Sequence, residues 1–208
     1  DWSSDVCSSD LIRDPNSQSN CKIVLLGNSG VGKTSLAIYW ATGDVSLKTN
    51  PTIGANHQLK TMKIRGEDVN IYLWDTSGQE QFQSLTPLYA QSSAAAILTA
   101  AINDEDSFNN LDTWINLLNN SCDKIPPIIL VVNKIDLDEK TWRFEKDYIF
   151  EKYGEMFNDK IFFVSAVTGE GVDDAFLEAA ISAYDFLGIT STPQKKNIEI
   201  NTNKSGCC

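Results

Sequence analysis

The sequence has only two methionines and one histidine among 208 residues, and no apolar stretch near the roughly 20 residues of a membrane span. Its longest apolar run, Ile125 to Val132, is interrupted by two prolines. Five cysteines (Cys7, Cys21, Cys122, Cys207 and Cys208) include no CxxC pair, and their odd number in a chain of this length argues against a disulfide framework and for a reducing compartment. Positive charge is also short. Seventeen Lys and Arg face 28 Asp and Glu, a net charge of −11 that repels nucleic-acid phosphate and excludes a nucleic-acid-coating role. An apolar share of 42% excludes wholesale disorder. The start is polar, rich in Ser and Asn, without a signal pattern or an initiator Met, so residues 1–20 read as a disordered or non-native extension.

Short β-type runs alternate with helical stretches. Strands are expected at Cys21–Leu26, Ala94–Leu98, Ile128–Val132 and Ile161–Val164, and a hairpin at His57–Ile64 and Val69–Trp74 around a Gly66-Glu67-Asp68 turn. Helices are expected from the glycine-rich Gly27–Gly32 loop to about Ala41, and over Glu105–Asn120, Glu139–Phe157 and Val172–Phe186, with Asp104, Glu105 and Asp106 capping the second. Continuous apolar strands alternating with helices imply a mainly parallel sheet covered on both faces, and the hairpin adds an antiparallel edge. From residue 188 the periodicity stops, and residues 188–208 read as a flexible tail. His57 reads as a surface or half-buried structural residue, and Trp114, Trp142 and Phe176 as core.

Gly27-Asn28-Ser29-Gly30-Val31-Gly32-Lys33-Thr34 fits GxxxxGK[ST], with a strand before it and a helix after it. Glycines let the chain turn so that the amides from Ser29 to Ser35 can face phosphate oxygens at a helix N-terminus. Lys33 can reach the β- and γ-phosphates, and Thr34 offers a hydroxyl to Mg²⁺. The loop indicates a nucleoside triphosphate without specifying its base. Asn133-Lys134-Ile135-Asp136 follows the Ile128–Val132 strand, where open α/β sheets bind ligands. A carboxylate at Asp136 can accept from both N1–H and the 2-amino group of guanine, a donor pair adenine lacks. Asn133 is placed to hold nearby loops or the N7 edge of the base.

Trp74-Asp75-Thr76-Ser77-Gly78-Gln79-Glu80 follows the second hairpin strand. Asp75 at a strand end suits Mg²⁺ through a water, Gly78 can offer its N–H to a γ-phosphate, and Gln79 can orient an attacking water. With the two motifs above, this segment resembles the Ras superfamily of small GTPases, and within it the Rab branch. The resemblance runs from about Cys21 to the C-terminus and includes Pro51-Thr52-Ile53-Gly54 and Ser107-Phe108-Asn109-Asn110. It implies a three-layer P-loop GTPase fold over 21–187, with a mainly parallel six-stranded sheet, one antiparallel edge strand and helices on both faces.

The resemblance further implies GTP and GDP as ligands, Thr34, Thr52 and Asp75 around Mg²⁺, Gln79 and Lys33 in catalysis, and a third base-contacting loop at Ser165, Ala166 and Val167, where Ala166 N–H meets guanine O6. It implies a monomeric GTP/GDP switch of vesicle traffic that works with an exchange factor, an activating protein and effectors. The alternative is a GTP-binding module that acts by occupancy with negligible hydrolysis. Two positions depart from the family pattern. Val45 stands where an aromatic residue usually packs on guanine, and Val167 where a lysine stem does. Both departures predict weaker base packing and faster exchange. The terminal Cys207-Cys208 pair resembles the Rab signal for double geranylgeranylation, which implies anchoring to the cytoplasmic face of an intracellular membrane and cycling with the cytosol.

Overall fold

A computed structural model of the chain describes residues 19–44, 52–78 and 84–188. Six strands form one sheet in the order β2-β3-β1-β4-β5-β6. They are β1 (Ser19–Leu26), β2 (Ala55–Ile64), β3 (Glu67–Thr76), β4 (Ala95–Ala101), β5 (Ile128–Asn133) and β6 (Ile161–Phe163). All neighbours run parallel except β2 and β3. The helices are α1 (Lys33–Thr42), α2 (Thr86–Ala90), α3 (Glu105–Asn109), α4 (Leu111–Ser121), α5 (Lys146–Tyr153) and α6 (Val172–Phe186).

Strand alternation builds two cores. Cys21, Ile23 and Leu25 of β1 point into a cluster shared with α1 and α6, whereas Val24 and Leu26 point into a second cluster under α3, α4 and α5. β4 and β5 divide in the same way, which is why their sequences are apolar without interruption. The buried residues of α6 recur at helical spacing: Val172, Ala175, Phe176, Ala179, Ala180, Ala183 and Tyr184. Phe176 stacks on Trp40 of α1 with ring centroids 5.3 Å apart.

Several expected boundaries move, each for a local reason. β1 begins at Ser19, because pairing with β3 extends through Ser19↔Val69. The hairpin turn is Arg65-Gly66, both at positive φ, with Ile64 paired to Glu67, so Gly66-Glu67-Asp68 is not the turn. The helix expected over Glu105–Asn120 breaks at Asn110. Phe108 and Trp114, six residues apart, would lie about 120° apart around an unbroken helix, and the break lets both be buried. Asp104 caps α3 as expected, its Oδ1 accepting from Asp106 N at 3.1 Å.

The helix expected over Glu139–Phe157 is three pieces: a 3₁₀ turn at Glu139–Thr141, then α5, then a second 3₁₀ turn at Glu155–Phe157. Asp138 caps the first turn, and Arg143 N–H donates to Ile102 O at 2.9 Å, which takes that backbone out of a helical ladder. The short α2 was not expected; Pro87 in its first turn was the available signal. Trp114 and Phe176 are buried, Trp142 is half-buried, and His57 lies exposed beside Trp74. Among the described residues no helix is long and apolar enough to cross a membrane.

Candidate nucleotide-binding site

The carboxyl ends of β1, β3 and β5 converge on one cavity of about 420 Å³. The glycine loop leaves β1 at Gly27, whose φ of +140° and close approach to β4 both demand glycine: a Cβ there would stand 2.3 Å from Thr99 O. At Gly32, φ +101°, a Cβ would stand 2.2 Å from Asn133 Nδ2. Lys33 opens α1 and is 5% exposed. Its Nζ donates to Gly27 O and Asn28 O, both at 2.8 Å. Burial lowers the Lys33 pKa to about 8, against the opposing pull of the Asp75 charge.

Thr34, Thr52 and Asp75 meet beside this lysine. Thr34 Oγ1 lies 2.6 Å from Thr52 Oγ1 and donates to Asp75 Oδ2 at 2.7 Å, while Thr52 Oγ1 reaches Asp75 Oδ2 at 3.4 Å. Asp75, the last but one residue of β3, is 1% exposed, and its Oδ1 has no partner among the described residues. Burial pushes the Asp75 carboxyl up, offset by the Thr34 bond, the Lys33 charge and the Thr52 bond. The segment after β3 is tied to the Thr52 segment through Ser77 N–H, which donates to Gly54 O at 2.8 Å.

At the other end of the cavity, Asn133 ends β5 and joins two loops. Its Nδ2 donates to Val31 O at 2.8 Å, and its Oδ1 accepts from Ala166 N–H at 3.0 Å. Of the two roles expected for Asn133, the structure shows the loop-holding one. It also gives Ala166 N–H a protein acceptor, so a contact with guanine O6 has to share that donor. Ser165 Oγ donates to Asp136 Oδ1 at 2.6 Å and accepts from Val167 N and Thr168 N, each at 3.1 Å.

The cavity wall holds Ser29, Gly30, Gly32, Lys33, Thr34, Ser35, Thr52, Gly78, Asn133, Lys134, Asp136, Ala166 and Val167. Val31 and Ser165 are fully buried behind it, where their polar atoms brace the loops, and Asp75 stands behind Thr34. Thr76, Ser77 and Leu137 also line the wall and were not anticipated. Thr76 and Ser77 stand inside the Trp74–Glu80 segment without an assigned role, and Leu137 follows Asp136. Gln79, Val45, Pro51, Cys207 and Cys208 lie outside the described residues.

A strand, a glycine loop, a buried lysine and a helix, with an acid at the end of the neighbouring strand, define a P-loop nucleotide-binding protein. Residues 22–185 match the Ras family. Similar proteins include the Ras-related protein Rab-21 of Geodia cydonium, 36% identical over 172 residues that span 83% of this chain and 74% of that one. The Ras-related protein RABA1b of Arabidopsis thaliana is 30% identical over 202 residues, 90% of this chain and 93% of that one. The Ras-related protein Rab-5B of Plasmodium falciparum is 36% identical over 164 residues, 78% and 77%. The chain belongs to the Ras family and, within it, to the Rab-type small GTPases, GTP-hydrolysing switches of vesicle traffic. Members of this family bind guanine nucleotide, and membership favours the hydrolysing switch over a module that acts by occupancy alone.

Proposed function

We propose that the 420 Å³ cavity holds GTP or GDP with Mg²⁺, and that its occupancy sets the state of the Thr52 and Gly78 segments. The observation that carries this reading is the convergence of Thr34, Thr52 and Asp75 beside Lys33, at the opposite end of one cavity from Asp136. Three oxygens from a buried carboxylate and two hydroxyls, with Asp75 Oδ1 unpartnered among the described residues, are the donor type a hard cation takes. Among the described residues no group of three or more His, Cys, Asp or Glu side chains is placed to hold a metal ion. Thr34 and Thr52 would hold Mg²⁺ directly and Asp75 through water; when bound, the ion neutralises phosphate charge.

The chain's own groups carry the rest of the reaction, GTP and water to GDP and phosphate. Lys33 places its charge on the β- and γ-phosphates, and the amides from Ser29 to Ser35 orient the phosphate chain. Gln79 orients the attacking water. Asp136 selects guanine, with Asn133, Lys134, Ser165, Ala166 and Val167 shaping the base slot. Loss of the γ-phosphate removes the reason for Thr52 and Gly78 to stay together, which makes the switch an order change set by a few contacts. No arginine lies in the glycine loop or in Pro51–Gly54, so an activating protein supplies the missing positive charge, and an exchange factor and effectors act on the same segments.

The unit that does this is the domain that opens with β1 at Ser19, two residues before the expected start at 21, and runs to 187, acting as a monomer, and the 188–208 tail carries geranylgeranyl groups on Cys207 and Cys208. Two lipids give stable anchoring where one gives marginal binding, so the protein cycles between cytosol and the cytoplasmic face of an intracellular membrane. Single-turnover hydrolysis of bound GTP tests the catalytic reading. Gln79→Leu should retain GTP binding and lose hydrolysis by at least about ten-fold; equal rates in the two proteins would assign the water to another residue.

A further inference from the structure

Asn28 sits second in the glycine loop, and none of the chemistry assigned above uses its side chain. That amide is nevertheless bonded at both ends. Trp114 Nε1 on α4 donates to Asn28 Oδ1 at 3.0 Å, and Asn28 Nδ2 donates to Asp106 O on α3 at 3.3 Å. Trp114 is 1% exposed and packed in the core beneath α3 to α5, where an indole N–H needs an acceptor, and the phosphate loop supplies it. On its other side, the Asn28 peptide meets the chemistry directly. Asn28 O accepts from Lys33 Nζ at 2.8 Å. Gly78 approaches so closely that a Cβ would stand 2.4 Å from the Asn28 carbonyl carbon and 2.5 Å from Lys33 Nζ. One peptide is thus held from the core by Trp114 and touched by the lysine and the switch glycine.

We infer that Trp114, acting through Asn28, is a positioning residue for nucleotide retention: its indole N–H fixes the glycine loop in the place that keeps Lys33 on the phosphates. The contact joins side chains 86 residues apart, so it couples the α3–α4 layer to the site without touching the ligand. This inference rests on the cavity being a guanine-nucleotide site.

The test is the release rate of N-methylanthraniloyl-GDP chased with excess GDP, from the full chain. Trp114→Phe keeps a ring in the core and removes the donor; Asn28→Ala removes the acceptor. Each should release about five-fold faster, as expected for one net hydrogen bond. The double variant should be no faster than the faster single, as coupled residues require. In an Asn28→Asp background, which keeps an acceptor oxygen, Trp114→Phe should again accelerate release. Leu118→Ala, a core residue of the same helix, should lower the melting temperature and leave release within about two-fold of wild type. Unchanged release in both singles, multiplying effects in the double, or equal acceleration by Leu118→Ala would each overturn the positioning role. If Trp114→Phe does not fold, Asn28→Ala against Asn28→Asp carries the test alone: acceleration by the alanine only is expected, and none or equal acceleration overturns it. A wild-type chain that fails to retain the analogue at all would instead overturn the nucleotide reading beneath it.

Discussion

The Ser165 hydroxyl bonds Asp136 Oδ1 at 2.6 Å, which orients the carboxylate and leaves Oδ2 and the second lone pair of Oδ1 to accept from a ligand. Asp136→Asn replaces that acceptor with an amide whose N–H₂ opposes the guanine donors. Guanine nucleotide affinity should fall by ~10²-fold or more, while xanthosine nucleotides, which carry an acceptor at C2, should gain. Competition binding with both bases checks this, and an unchanged preference would remove Asp136 from the base slot. Lys33 gives a pH dependence with a definite sign. Burial holds it near pKa 8 in the free protein, and phosphate beside it raises that value. Binding above pH 8 therefore takes up a proton, and affinity declines as pH rises through that value. Below pH 7 the lysine is already charged and no uptake is expected. Calorimetry at pH 8.5 in two buffers of different ionisation enthalpy should give different heats; identical heats would show that Lys33 does not change its proton.

At the scale of elements, α6 is held to α1 by the Trp40–Phe176 stack and carries no residue of the cavity wall. Phe176→Ala should cost about 3–5 kcal/mol of stability in a denaturant melt and leave the choice of guanine over adenine intact. A change in base preference would mean that the packing of α6 and the base slot are coupled. The elements also show where sequence periodicity informs and where it fails. Strands buried on both faces, such as Ile128–Val132, announce themselves, and α6 follows its 3.6-residue stripe throughout. Glu105–Asn120 and Glu139–Phe157 read as single helices because their apolar spacing persists, but the breaks depend on distant partners: the Ile102 carbonyl that binds Arg143, and the need to bury Phe108 with Trp114. The site divides in the same way. Residues whose chemistry is local, Lys33, Thr34, Asp75 and Asp136, are legible from short motifs. The brace from Asn133 to Val31 and Ala166, and the bond from Trp114 to Asn28, join residues 102, 33 and 86 apart and become visible only in the fold.

For the whole molecule, one sheet carries both ends of the cavity: the glycine loop follows β1 and the Asn133–Asp136 motif follows β5, two strands away. The −11 net charge makes non-specific attraction to anionic membrane weak, and on the anchoring proposed above lipids on the tail cysteines would supply stable membrane residence. An N-terminally tagged chain should pellet with membranes, and the Cys207→Ser, Cys208→Ser double variant should move to the soluble fraction; an unchanged distribution would assign anchoring elsewhere. The most direct test of the central claim is calorimetric titration of the nucleotide-stripped protein with GDP and with ADP in the presence of Mg²⁺. The cavity described here predicts saturable, roughly one-to-one binding of GDP and at least ~10²-fold weaker binding of ADP. Equal affinity for the two, or no heat with GDP, would contradict it.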